Sequence, residues 1–245
     1  MALCKDPASP PDGLRVLYRD AWMAAVYKPS GLAVHPSPLV RDAPTMLSGL
    51  RDLLGQPVFT VHRLDRPTSG LMLVALDTDS ARQLCQQFRD QRVAKTYLAV
   101  VRGWPDAAGA IDYPVPTAGG TRRLPARSRF RRLATVELPL PCGPYTTSRY
   151  ALMELQPETG RYHQLRRHLK HLAHPVIGDT EYGDSRHNRL FREHFGLHRL
   201  LLQSVRLRLE HPRHGRPLEL SCPPDEALVG FFPDAAEACQ AGTGP

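Results

Sequence analysis

Asp65 is the residue whose type and neighbours most directly suggest chemistry. It stands in the run H-R-L-D-R-P-T-S-G at residues 62–70, between the cations Arg63 and Arg66. Each neighbouring arginine favours the ionised form of the carboxyl group, and an ionised carboxylate can act as a nucleophile or a base. For an isolated aspartate in a turn, hydrogen bonds from backbone N–H groups would be the favoured role. The residue and its neighbours therefore leave both interpretations open.

The segments around this aspartate predict a strand, a turn and a second strand. Val58–Leu64 alternates loosely and is rich in residues that favour β-structure. Pro67, Ser69 and Gly70 are typical turn residues. Leu71–Leu76 is an apolar run that indicates a buried strand. We expect the aspartate at the end of the first strand, just before the turn.

A second candidate, Arg166, lies on a predicted amphipathic helix. The helix is expected over Arg161–Leu172, with Thr159 as its N-cap. Its apolar stripe consists of Tyr162, Leu165, Leu169 and Leu172. Arg166 flanks this stripe, and a charge at the edge of a buried face needs an anionic partner unless the side chain extends to solvent. Periodicity alone does not choose between these two arrangements.

The remaining pattern predicts an α+β fold with a mixed, largely antiparallel central sheet and flanking helices. Further strands are expected at Leu14–Tyr18, Ala24–Tyr27, Lys95–Val101, Tyr150–Leu155, Leu197–Leu202, Val205–Leu209 and Pro217–Ser221. A helix is expected over Asp79–Gln91, capped near Asp77 or Thr78. The Pro- and Gly-rich residues 105–144 are expected to be irregular. The predicted organisation is a disordered leader at 1–13, one domain at 14–222, and a C-terminal helix with a flexible tail at 223–245.

The charge of the chain favours a polyanionic partner. The net charge is +8 and the pI is about 9.5. Only Lys5, Lys28, Lys95 and Lys170 are lysines, so arginine supplies most of the positive charge. Arginine suits bidentate phosphate contacts and stacking on bases. Codon usage could explain the ratio of arginine to lysine, but it does not explain the excess of positive charge.

Several classes of protein are disfavoured by composition. No apolar run approaches membrane-spanning length. The N-terminus shows no apolar signal-peptide core, so we expect a cytoplasmic location without membrane contact. The five cysteines form no C-x-x-C pair, which argues against a disulfide framework or a zinc ribbon.

Two other kinds of site find little support. The histidines at 163, 168, 171 and 174 do not have the spacing of an H-E-x-x-H metal site, and we expect no metal. A glycosidase would need two carboxylates across a cleft. Near the other motifs only Glu154 and Glu158 are available, and nothing in the pattern pairs them with Asp65.

The sequence resembles the RluA-type pseudouridine synthase family at several motifs. Residues 62–70 resemble its H-R-L-D-x-x-T-S-G signature, in which the aspartate is catalytic, and this implies a catalytic Asp65. Residues 159–169 resemble T-G-R-x-H-Q-[IL]-R-x-H-[LM], in which the arginine after Gln-Leu pairs with that aspartate, and this implies Arg166. Residues 95–97 resemble K-x-Y, whose tyrosine contacts the target uracil, and this implies Tyr97. Residues 28–35 and 174–183 resemble two further motifs, K-P-x-G-x-x-V-H and H-P-[IL]-x-G-D-x-x-Y-G, to which we assign no catalytic step.

The resemblance also implies how RNA is held. Arg63 is expected to fill the space that a flipped uridine leaves, and His62 and Arg161 are expected to contact substrate. The arginine-rich stretch 122–132 is expected to be a loop in which Arg129, Arg131 and Arg132 contact phosphates, although a solvated loop would have the same composition. Isomerising uridine needs neither redox chemistry nor energy input, so no cofactor is expected.

Within the family, the chain is most similar to the TruC type, which modifies uridine 65 of tRNA. The similarity rests on Arg66-Pro67, residues 145–150, Arg166-Arg167, Asn188-Arg189 and residues 193–197, whereas residues 36–49 depart from that pattern. The resemblance implies a monomer without an S4 domain that acts on RNA and not on DNA. Two alternatives stay open: a synthase acting on large-subunit ribosomal RNA, and a non-catalytic RNA-binding module.

Overall fold

The computed structural model describes residues 11–36 and 44–232. In these ranges the strands are β1 Arg15–Arg19, β2 Met23–Lys28, β3 Phe59–Thr60, β4 Ser69–Ala75, β5 Ala94–Arg102, β6 Ala108–Asp112, β7 Val115–Pro116, β8 Arg123–Leu124, β9 Arg127–Leu138, β10 Ser148–Pro157, β11 Leu202–Glu210 and β12 Pro217–Ser221. The helices are α1 Met46–Leu54, α2 Thr78–Arg89, α3 Gln164–His171, α4 Ser185–Phe195 and α5 Glu226–Val229. The chain divides into a first unit, Met1–Val93 with Arg206–Cys222, and a second unit, Ala94–Val205 with Pro223–Pro245.

The first unit is built on antiparallel strands. β2 pairs with β1 on one side and with β4 on the other, β3 also pairs with β4, and the second half of β11 pairs with β12. Every residue of β2 and β4 is buried, which explains their continuous apolar character. Helix α2 contributes Leu84 to the core that these strands form. The side chain of Asp77 caps this helix by accepting from the backbone N–H of Ser80 at 2.8 Å.

The second unit is an antiparallel sheet in the order β5-β10-β9-β6, with a separate β7-β8 pair. Apolar side chains project from both faces of the sheet, because successive residues of a strand point in opposite directions. One face packs against Leu165 and Leu169 of α3. The other packs against α4 and α5, including Phe191 and Leu228. The predicted α+β class with a largely antiparallel sheet and flanking helices is therefore confirmed.

Most predicted elements are confirmed, among them β1, β2, β4, α2, β5, β10 and β12. The prediction for residues 105–144 was wrong, because they contain the four strands from β6 to β9. Their prolines and glycines lie mostly at strand ends, and the arginines of β9 conceal the alternation. The strand expected over Val58–Leu64 is reduced to β3. The strand expected at Leu197–Leu202 was wrong except for its last residue, because β11 begins at Leu202, and β11 contains the strand expected at Val205–Leu209. Helices α1 and α4 were not predicted.

The predicted domain bounds stay a prediction. The expected leader lies mainly in residues 1–10, and most of the expected tail lies in residues 233–245, outside the described ranges. Within the described ranges, none of the helices has both the length and the apolar composition needed to cross a membrane.

Candidate active site

Asp65 lies in the loop between β3 and β4 and is partly exposed. Its carbonyl oxygen accepts from the backbone N–H of Thr68 at 3.0 Å, so the chain turns directly after the carboxylate. The turn is also tied to the loop that follows β2. Arg66 donates from Nε to the carbonyl of Gly31 at 2.9 Å and accepts from the backbone N–H of Gly31 at 2.9 Å. The hydroxyl of Ser30 donates to the carbonyl of Pro67 at 2.7 Å. These bonds restrain the backbone next to the carboxylate.

Lys28 is the centre of this restraint. Its side chain is fully buried, and Nζ donates to the carbonyls of Pro29, Leu32 and Arg66 at 2.9–3.0 Å. Burial lowers the pKa of Lys28 to about 7, against the opposing influence of the negative charge of Asp65 and assisted by the positive charge of Arg66. The motif at 28–35 therefore supplies a buried amine that holds the Asp65 turn.

The two residues before Leu64 have different surroundings. The ring of His62 is stacked on Phe88 of α2 with centroids 4.4 Å apart, and its Nε2 accepts from the backbone N–H of Leu73 at 2.9 Å. His62 thus has a structural role in the first unit. Arg63 is exposed, as a side chain that enters an RNA stack must be. The RNA contacts expected of both residues stay predictions.

Tyr97 lies on β5 in the second unit and is partly buried against the core on the α3 side. Lys95, two residues earlier, lies on the same face of the strand. Its Nζ donates to the carbonyl of Thr159 at 3.3 Å, and burial lowers its pKa to about 8. β5 thereby contacts the start of the T-G-R-Y-H-Q-L-R motif.

Arg166 is 4% exposed, so the alternative that its side chain extends to solvent is wrong. Nε donates to Oδ2 of Asp179 at 2.7 Å and Nη2 donates to Oδ1 at 2.8 Å. Its Nη2 also lies 3.5 Å from Oε2 of Glu181, and its Cζ lies 4.9 Å from the centre of the Tyr182 ring. The required anionic partner includes Asp179. The Arg166–Asp65 pair stays a prediction.

The helix that carries Arg166 begins differently from the prediction. α3 starts at Gln164, and the preceding His163 has a left-handed conformation with φ 53°. Thr159 is not the cap. Its hydroxyl donates to Oε1 of Gln164 at 2.7 Å, and Oε1 also accepts from the backbone N–H of Arg161 at 3.0 Å. Nε2 of Gln164 donates to the carbonyl of Arg127 and the hydroxyl of Ser128. Gln164 therefore joins the motif to β9.

The arginine-rich segment 122–132 contains β8 and the start of β9 and is not the expected loop. Arg127, Arg129 and Arg131 alternate on one exposed face of β9. Nε of Arg129 lies 2.7 Å from Glu158, and Nη2 of Arg131 lies 3.5 Å from Glu154, because β9 pairs with β10. The sequence contained these glutamates but gave no indication of the register.

The faces of β9 separate the predicted RNA-binding arginines. Tyr97, Leu155 and Phe130 lie opposite one another across three strands and share a face. Arg129 and Arg131 flank Phe130 and so point to the opposite face from Tyr97.

The two remaining predicted arginines both donate to backbone carbonyls. Arg132 faces the same side as Phe130, and its Nη1 donates to the carbonyl of Pro105 at 2.6 Å. Arg161 is exposed, with Nε donating to the carbonyl of Pro125 at 3.3 Å. Phosphate binding by any of these arginines stays a prediction.

Residues 179–182 were not predicted as part of the site. The sequence offered one signal, the run H-P-V-I-G-D-T-E-Y-G, to which no role was assigned. The structure places Asp179 of this run on Arg166, and places the hydroxyl of Tyr182 3.0 Å from Nδ1 of His163 and 3.0 Å from Nε of Arg167. The run therefore contacts Arg166 and Arg167 near the start of α3 and His163 just before it.

Comparison with known proteins shows the family to which the chain belongs. The sequence profile of the family described as RNA pseudouridylate synthase matches residues 23–171. The tRNA pseudouridine synthase C of Salmonella typhi is 48% identical over 227 residues, covering 88% of this chain and 87% of that protein. The tRNA pseudouridine synthase C of Vibrio cholerae serotype O1 is 44% identical over 230 residues, covering 89% and 94%.

Solved structures agree with the sequence comparisons. Human RNA Pseudouridylate Synthase Domain Containing 1 superimposes with a TM-score of 0.73 at 25% identity and covers 96% of each chain. Human RNA Pseudouridylate Synthase Domain Containing 4 gives a TM-score of 0.66 at 28% identity, covering 88% of this chain and 90% of that one.

Fold and sequence together define an isomerase that acts on uridine in RNA. This chain belongs to the RNA pseudouridylate synthase family, as its RluA-type motifs predicted.

Proposed function

We propose that this chain converts uridine 65 of tRNA into pseudouridine, with Asp65 as the catalytic residue. The observation that carries the proposal is the 48% identity, over 88% of the chain, to a protein named tRNA pseudouridine synthase C. The net charge of +8 suits a polyanionic substrate. We also propose that the protein acts as a monomer in the cytoplasm.

The reaction rearranges one nucleotide and loses no heavy atom. The target uridine leaves its stack, at a cost of about a few kcal/mol, and Arg63 fills the space. The bond between C1′ and N1 breaks, the uracil rotates, and a bond forms between C1′ and C5. The proton on C5 leaves and N1 gains a proton, so the product is an isomer of the substrate. Since no electrons are exchanged with another molecule, no cofactor is required.

The side chains divide this work. Asp65 either attacks C1′ or removes the 2′ proton to give a glycal, and both routes need it ionised. The hydrogen bonds around Arg66 and Lys28 restrain the turn that presents the carboxylate, which limits its freedom in the ground state. Arg166 provides the positive charge that keeps Asp65 ionised. Tyr97 contacts the uracil and assists transfer of the C5 proton.

Tritium release tests the proposal. Purified protein is mixed with an unmodified tRNA transcript carrying tritium at uracil C5, and we expect about one tritium released per tRNA. A U-to-C change at position 65 should eliminate the product. Conversion of a large-subunit ribosomal RNA fragment in place of the tRNA would assign the substrate to ribosomal RNA. Binding of RNA without tritium release from any transcript would indicate a non-catalytic RNA-binding module.

A further inference from the structure

We propose that Asp179 is a positioning residue for the isomerisation, acting through Arg166. The inference rests on the proposed function and adds a residue to it. Asp179 accepts two hydrogen bonds from the Arg166 guanidinium, at 2.7 and 2.8 Å, and its side chain is fully buried. A guanidinium is planar and rigid, so a bidentate bond through Nε and Nη2 fixes the direction of Nη1 as well. Asp179 thereby sets the orientation of Arg166 before RNA binds.

Asp179 is itself held in one orientation. Its Oδ1 accepts from the backbone N–H groups of Glu181 and Tyr182, both at 3.0 Å. Burial alone would raise the pKa of Asp179, but the hydrogen bonds from Arg166 and from these backbone groups outweigh it and the pKa is lowered. The carboxylate is therefore ionised at neutral pH and holds the guanidinium as a charged partner.

The turn around Asp179 is fixed from α4. Asn188 accepts from the backbone N–H of Gly178 at 2.7 Å and donates to the carbonyl of Asp179 at 2.8 Å. Gly178 has φ +79°, and a Cβ at this position would lie 1.9 Å from the carbonyl oxygen of Arg199, so a larger residue would disrupt the turn. The path from α4 to Arg166 thus consists of short, buried hydrogen bonds.

A structural ion pair would not need this arrangement. Burying two charges brings little net stability compared with apolar residues of similar volume. Supporting contacts that lock a functional side chain instead lower the reorganisation needed during the reaction. The Tyr182 ring beside the guanidinium, 4.9 Å from Cζ, restricts movement out of the plane. This combination favours positioning as the role of Asp179.

Steady-state kinetics of Asp179→Asn tests the inference. The amide keeps the shape but places an NH₂ group or a neutral oxygen against the guanidinium. We expect kcat to fall by about 100-fold, since a displacement of about 1 Å has this effect, while KM for tRNA stays within about threefold. Asp184→Asn is the matched control, because Asp184 is also paired with an arginine, Arg102, at 2.7 Å. Its kcat should stay within about twofold of the wild type.

A folded Asp179→Asn variant with unchanged kcat, or one that changes only KM, would overturn the inference. If this variant does not fold, Asn188→Ala takes its place, because Asn188 holds only the backbone of the turn at Gly178 and Asp179. Its kcat should fall by about tenfold at unchanged KM, and an unchanged kcat would count against the role of Asp179. A wild-type protein that is inactive on every RNA would refute the proposed function instead.

Chemical rescue provides a second readout. Millimolar guanidinium chloride should restore part of the kcat of Arg166→Ala, because Asp179 remains as a binding site for the free ion. The same salt should not restore Arg166→Ala/Asp179→Asn, whereas Arg166→Ala/Asp184→Asn should respond like the single variant. Sodium chloride at the same concentration is the ionic-strength control. Absent rescue in Arg166→Ala, or equal rescue with and without Asp179, would contradict the inference.

Discussion

At the scale of single residues, Asp65 is the position where catalysis and binding should separate. Asp65→Asn keeps the size of the side chain and removes the charge that both proposed routes require. We expect tritium release to fall by about 10³-fold or more, while the Kd for tRNA stays within about threefold, because affinity depends on cations and stacking.

The exposed Asp79 of α2 provides the control for this prediction. Asp79→Asn changes net charge by the same amount on an exposed helix and should leave both quantities unchanged. Asp65→Asn protein with substantial residual turnover would remove Asp65 from the catalytic role.

Lys28 should make the stability of the protein depend on pH. Its pKa is about 7 in the folded chain, against an ordinary value of 10.5, so between these values the unfolded chain binds more protons. The free energy of unfolding should therefore rise as pH increases from about 7 to about 10, by at most about 1.4 kcal/mol per pH unit for this group. Lys95, with a pKa of about 8, contributes in the same direction. Below pH 7 the contribution of Lys28 is constant.

Urea denaturation at a series of pH values measures this effect. Lys28→Met should reduce the slope, whereas Lys170→Met, at an exposed lysine of α3, should leave it unchanged. An equal slope in the Lys28→Met protein would show that another group is responsible.

At the scale of elements, Gln164 determines where α3 begins. It is 4% exposed, and its amide bonds Thr159, Arg161, Arg127 and Ser128. Gln164→Ala leaves buried polar groups without partners and should lower the free energy of unfolding by about 1–3 kcal/mol. It should also lower kcat, because α3 carries Arg166.

Urea denaturation and tritium release measure the two effects. Gln156→Ala, at an exposed position of β10, is the control and should change neither. A Gln164→Ala protein that is as stable as the wild type would mean that the chain around residue 164 repacks without cost.

At the scale of the whole molecule, net charge should make RNA affinity strongly dependent on salt. If about four arginines meet phosphates, the slope of log K against log salt should be steeper than about −3 for a duplex site. Replacing Arg129, Arg131 and Arg132 with Ala should remove about two or more of these phosphate contacts, so the slope should become less steep. An unchanged slope in this triple variant would leave the β9 arginines without a role in RNA binding.

Glu154 on β10 and Glu158, just after that strand, allow a further test of the same surface. Glu154 and Glu158 pair with Arg131 and Arg129 and would compete with phosphates for them. Glu154→Gln/Glu158→Gln should therefore tighten RNA binding if β9 is part of the interface. Glu210→Gln/Glu219→Gln removes partners of Arg92, Arg206 and Arg208 in the first unit and, with the same change of two in net charge, is the control.

Local patterns in the sequence determined the elements whose reasons are local. The cap at Asp77 begins α2, and the apolar run after Gly70 forms β4, because each depends on residues that are neighbours in the chain. The motifs containing Asp65, Tyr97 and Arg166 likewise indicated the enzyme family, because a long run of specific residues is informative without a structure.

The tertiary structure decided which distant groups meet. Arg166 needed an anion, but only the fold could show that Asp179, 13 residues later, supplies two oxygens to it. Charge counting found an arginine-rich segment, but the β9–β10 register determines that Glu154 and Glu158 lie beside it. The tertiary structure also decides which side chains are buried. Lys28 looks like an ordinary lysine in the sequence, and its pKa is about 7 only because the fold removes it from water. The sequence determined the chemistry available at each position, and long-range packing decided the partners and the environment of those groups.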